Sequence, residues 1–135
     1  MSLRELRLAE KSVARQRQVV SELNTIVRDI ERCERTIHDL QTELGEINTK
    51  FAGPRDTRQD IDYLSSLLAC AKKKLAWEKT ISSLQKRTPQ ILEEMANVLN
   101  DPQNPPQEPL RSEMLRALQG VQGAMERLQK IQPVQ

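Results

Sequence analysis

Side chains able to do covalent or metal chemistry are few in this sequence, and their spacing gives them no partners. His38 is the single histidine, so neither a histidine-rich metal site nor a Ser-His-Asp triad can be built around it. On the helical pattern set out below it points to solvent. Cys33 and Cys70 have no close partner spacing, which excludes a zinc knuckle or a disulfide framework. Both fall on apolar helical positions, offset by about one turn across a hairpin, and are expected to be buried free thiols. The 19 carboxylates are interspersed with Lys and Arg on helical faces, where pairing keeps their acidity ordinary. No glycine-rich phosphate loop, HExxH pair or nucleophile elbow occurs. We expect no catalytic residue, no cofactor and no metal.

Two charged features carry a non-covalent reading. Lys72, Lys73 and Lys74, followed by Lys79, Lys86 and Arg87, form a candidate basic patch for nucleic acid or an anionic membrane, with a similar bias in Arg4, Arg7, Lys11, Arg15 and Arg17. Against it, successive lysines on a helix point in different directions and acids are interleaved. Thr88-Pro89 is a candidate proline-directed phosphosite and reads equally as a helix N-cap. A phosphate there would sit at a helix N-terminus, a stabilising place for a dianion. The proline-rich stretch near residue 105 lacks the adjoining arginine of an SH3 ligand and reads as a connector.

The elements that position these groups follow from one stretch, residues 19–51. Leu23, Ile30, Ile37, Leu44 and Phe51 recur at every seventh residue, with Val19, Ile26, Cys33, Leu40 and Ile47 in the gaps. That is an a/d heptad seam, and in water it must be covered by another helix. From residue 3 to 51 there is no proline and only Gly45, so a first helix of about 49 residues is expected, stopped at Ala52-Gly53-Pro54. Asp56 and Gln59 then offer a capping box for a second helix over 57–100. Thr88-Pro89 predicts a break within it, because the residue before proline avoids helical geometry.

The second helix has its own seam, Tyr63, Leu67, Cys70, Lys74, Trp77, Ile81, Leu84, Thr88 and Ile91. Folding at Gly53-Pro54 sets the two seams face to face, Leu40 against Leu67, Ile37 against Cys70 and Ile30 against Trp77. Lys74 is the poor match, its stem long enough to snorkel. A parallel dimer through the first helix gains no attractive flanking pair and sets Asp29 against Glu34. The hairpin instead brings Asp29 toward Lys73, so the intramolecular hairpin is preferred.

Pro102, Pro105, Pro106 and Pro109 make 100–109 a loop, and a third helix is expected over 110–132 with Leu110, Met114, Leu118, Val121, Met125, Leu128 and Ile131 on one face. Gly120 and Gly123 weaken it by about 1 kcal/mol each, so it needs docking. Its expected dock is a groove between Leu6, Val13, Val20 and Val27 of the first helix and Leu92 and Leu99 of the second. Too short to reach the hairpin tip, it leaves Leu64, Leu68, Ala71 and Leu75 uncovered. That stripe is the candidate partner interface.

The fold expected is all-α: an elongated antiparallel helical hairpin of coiled-coil type, with a third helix packed on it to form a three-helix bundle. In outline it is similar to three-helix rods of the spectrin type, a likeness of architecture alone, since no internal repeat is present. With 30% charged residues, a net charge of +2 and three aromatics among 135 residues, the composition suits extended helical packing and points to no strong global field. The function expected is a non-catalytic scaffold or adaptor module binding protein partners or a second copy through helical faces. Binding of nucleic acid or an anionic membrane is the alternative. No apolar run approaches the roughly 20 residues of a membrane span, and residues 1–10 lack a signal-peptide core, so the cytoplasm, or else the nucleus, is the expected setting.

Overall fold

The computed structural model describes residues 2–131. It contains three helices, α1 (Leu3–Lys50), α2 (Thr57–Leu99) and α3 (Leu110–Gln129), in an elongated antiparallel hairpin with α3 laid on it. At 48 residues, α1 is about 72 Å long. Its start is fixed by a capping box that the apolar pattern does not announce: Ser2 accepts from the Glu5 amide, and the Glu5 carboxylate accepts from the Ser2 amide. The expected box at Asp56 and Gln59 is present, with reciprocal bonds of 2.8 and 3.0 Å.

The turn between them is closed by Gly53, whose φ of 86° lies in the left-handed region open to glycine. Arg55 then fastens the tip. It donates to the Phe51 carbonyl at 2.7 Å and to Asp60 at 2.8 Å, and its guanidinium stacks 4.3 Å from the centre of the Tyr63 ring. Under this clasp Phe51, Ile47, Cys70, Tyr63 and Leu67 form a small apolar cluster of their own.

The main core lies at the other half, where all three helices meet. Val19, Leu23, Ile26 and Ile30 of α1 pack with Leu84, Met95 and Val98 of α2 and with Met114, Val121 and Leu128 of α3. Leu23, Ile30, Met114 and Val121 are 0% exposed, whereas Ile47, Phe51 and Cys70 near the tip each keep 9%. A third helix completes burial that two helices leave partial. The centre of the α3 face is Met114, Ala117, Val121, Ala124 and Leu128, with Leu118 and Met125 displaced to its edges. Two alanines at the centre permit close approach to α1, and an added Cβ on Gly120 would stand 3.5 Å from Val27.

Three expectations are corrected. Helix α2 does not break at residues 88–89: Pro89 sits inside one continuous helix of 43 residues. Burial of the flanking seam outweighs a missing amide donor and the steric preference of the pre-proline residue. Helix α3 ends at Gln129, and the expected end at Gln132 lies outside the described residues. In the expected dock Val20, Val27, Leu92 and Leu99 pack against the core, but Leu6 and Val13 remain 45% and 39% exposed. Because α3 starts beside Arg17 and Val20, the first turns of α1 project beyond it.

The third concerns charge pairing across the hairpin. Asp29 pairs with Arg87 at 2.9 Å, and Lys73 with Glu43 at 3.0 Å, while Arg15 meets Glu94 at 3.3 Å. All six are g positions of their heptads, as antiparallel packing requires. The expected Asp29–Lys73 pair runs against the lean of the side chains. Every helical side chain tilts toward its own N-terminus. Facing helices that run oppositely therefore bring together residues further along both chains than those whose backbones lie level. Trp77 obeys the same rule: packed against the core cluster that includes Ile30, it donates its indole N–H to the Cys33 carbonyl at 2.9 Å.

Candidate interaction surface

Helix α3 runs parallel to α1. Gly120 lies over Val27, and Arg127 reaches Glu34 at 3.3 Å. Its last turn is thus level with a point about two-thirds of the way along α1, and among the described residues nothing covers the groove from there to the tip. There α2 presents Leu64, Leu68 and Leu75 with 62%, 57% and 52% of their surface exposed, and Ala71 is exposed between them. Ile61, 58% exposed, extends the row by one turn. Its place was readable from its spacing of three residues before Leu64. Together Ile61, Leu64, Leu68, Ala71 and Leu75 keep the alternating three- and four-residue spacing of a second heptad seam, rotated about 100° from the one that meets α1.

The basic residues do not act as one patch. Lys73 and Arg87 are drawn to Glu43 and Asp29 on the side of the hairpin away from α3. Lys74 lies on the seam with its side chain 31% exposed and its ammonium 3.9 Å from Glu78. Lys72, Lys79 and Lys86 occupy a separate row at seven-residue spacing, all exposed. Arg58 starts the same row, which borders the apolar stripe on its outer edge.

Thr88 is 2% exposed and its hydroxyl finds no hydrogen-bond partner. It lies among the buried residues of α2, so a kinase can reach it only after α2 separates from the bundle. His38 is exposed and Cys33 and Cys70 are buried free thiols. Burial, then the Asp29 charge, pushes the Cys33 thiol above its ordinary acidity range, with Arg32 opposing. Burial, then Glu43, does the same to Cys70. Such thiols are poor nucleophiles at neutral pH. A cleft of about 630 Å³ opens beside Cys33 and Trp77; of its charged groups Glu43 pairs with Lys73 and Asp29 with Arg32 and Arg87, and Asp39 is exposed at its edge. Among the described residues no three His, Cys, Asp or Glu side chains converge as a metal site would require.

Gln16 is a polar side chain that the apolar pattern hides. At 3% exposure it donates to the Asn104 carbonyl at 3.1 Å and ties the proline-rich loop to α1. Pro106 is buried there too. The hairpin and α3 thus define a class, an elongated all-α rod with one half open. No family model, curated protein or solved structure matches the chain. Among the described residues no helix is long and apolar enough to cross a membrane.

Proposed function

We propose that this chain is a non-catalytic helical interaction module, a scaffold or adaptor piece that engages protein partners through helix-helix packing on the open half of the rod. The observation that carries this reading is the exposed row Ile61, Leu64, Leu68 and Leu75. Burying the exposed part of one such leucine is worth about 1 kcal/mol. A contiguous row at heptad spacing is the pattern a partner helix reads. An intracellular setting, cytoplasm first, belongs to the proposal, supported by two free thiols that an oxidising compartment would place at risk.

A second reading is contact with nucleic acid or an anionic membrane through the basic row, favoured by Lys72, Lys79 and Lys86 sharing one exposed line. One experiment separates the two. A photo-crosslinking amino acid is placed at Leu68 in cells, with and without the distal change Leu75→Glu. The module reading expects a discrete protein adduct that the change removes. Adducts to RNA or lipid alone, or none, overturn it.

A further inference from the structure

We infer that the open half of the groove takes an acidic amphipathic helix of a partner protein, laid parallel or antiparallel to α1 along the track that α3 occupies in the other half. This rests on the interaction-module reading and names the chemistry of the partner.

The size of the occupant follows from where α3 ends. With Arg127 paired to Glu34, the end of α3 at Gln129 is level with Thr36, and with α1 ending at Lys50 about 21 Å of groove remains, room for about four helical turns. Its floor is the stripe from Ile61 to Leu75. Its two borders differ. The α1 border carries His38, Gln41, Gly45 and Asn48, with no carboxylate, and Glu34 at its inner end is taken by Arg127. The α2 border carries Arg58, Ser65 and Lys72, with Lys79 two turns further on beside the last turns of α3, and these cations make no ion pair among the described residues. Glu78, the acid at the end of the stripe, has Lys74 at 3.9 Å. An occupant therefore meets an apolar floor, one uncharged edge and one cationic edge, and the complement is a helix with leucine-type residues flanked by carboxylates on the edge toward α2.

The same borders argue against a second copy. A two-fold antiparallel pairing that crosses at Leu68 sets Arg58 of each copy beside Lys79 of the other, like charge on like. A parallel two-fold pairing sets the cationic row against the uncharged α1 edge. Neither supplies the missing carboxylates.

The test uses the full chain and two synthetic helical peptides of about 18 residues, long enough for five turns. Both carry the same leucine heptads; one has Glu and the other Lys at the flanking positions. Fluorescence anisotropy at low salt is expected to show the Glu peptide binding about tenfold more tightly, with the margin shrinking as salt screens it. Reversal of the edge by K72E with K79E is expected to invert the preference. L68E with L75E is expected to abolish binding of both peptides while circular dichroism shows the helices intact. Equal binding of the two peptides, lost in the leucine variant, overturns the acidic partner and leaves the module reading standing. Binding of neither, a dimer by light scattering that the leucine variant dissolves, or capture by phosphatidylserine vesicles in preference to either peptide, also overturns it. Failure of the crosslinking experiment at Leu68 would instead remove the module reading itself.

Discussion

At the scale of single residues, Glu43 holds more of the local chemistry than the cysteine beside it. Its carboxylate accepts from Lys73 and raises that ammonium's affinity for its proton, and its charge, after burial, raises the Cys70 thiol. Cys33 is raised in the same direction by its own surroundings. A group whose folded value lies above its unfolded one stabilises the fold fully below the unfolded value and loses that contribution as pH rises through the folded value. All three therefore act together, so stability is expected to decline on the alkaline side, first through the thiol range and then through the lysine range. Glu43→Gln is expected to lower the pH at which Cys70 becomes alkylated and to leave Cys33 unchanged. Mass spectrometry of iodoacetamide labelling against pH checks this, and coincident profiles for variant and parent would refute the assignment to Glu43. Hydrophobic spacing had already placed both thiols on the inner seam. It said nothing of Glu43 or Gln16, because a polar residue's role depends on which distant group arrives beside it.

At the scale of elements, α2 is the helix in which local and tertiary preferences conflict. Pro89 leaves the Gln85 carbonyl without its usual amide donor, and Thr88 holds a hydroxyl in the core with no partner. Local sequence alone predicts a boundary here, yet Leu84, Thr88, Met95 and Val98 must share one inward face, and a break would turn part of that face outward. Both local costs are removable. Thr88→Val keeps the shape, deletes the unsatisfied hydroxyl and is expected to stabilise the fold by about 1 kcal/mol. Pro89→Ala restores a backbone donor and is expected to add about 1 to 3 kcal/mol. Urea unfolding followed by circular dichroism measures both. A loss of stability in T88V would mean that the hydroxyl is satisfied, and no gain in P89A would mean that the helix bends there for another reason.

At the scale of the whole molecule, the distribution of burial defines two unequal halves. The half carrying α3 is closed, with fully buried side chains from all three helices. The tip half is a two-helix coiled coil held by the Arg55 clasp and the Phe51 cluster. X-ray scattering is expected to give a particle about 75 Å long at the monomer mass of 15.5 kDa. A compact sphere would refute the hairpin, and twice the mass would move the open stripe into a self-interface.

By itself the sequence determined which residues of α1 and α2 form the seam between them, where the hairpin turns and how α2 begins. Heptad spacing, Gly53-Pro54 and the Asp56 box act over a few residues and leave few choices. It also placed Leu64, Leu68 and Leu75 beyond the reach of a third helix, because helix length follows from residue count. Only the tertiary structure decided that α2 runs through Pro89, that Asp29 meets Arg87 rather than Lys73, and that α3 begins at the level of Arg17 and seats Ala117 and Ala124 at its centre. Those outcomes depend on the lean of side chains across an antiparallel pair and on the path of the 100–109 loop. Neither is encoded in the spacing of one helix, since both are set by which distant surfaces fit together.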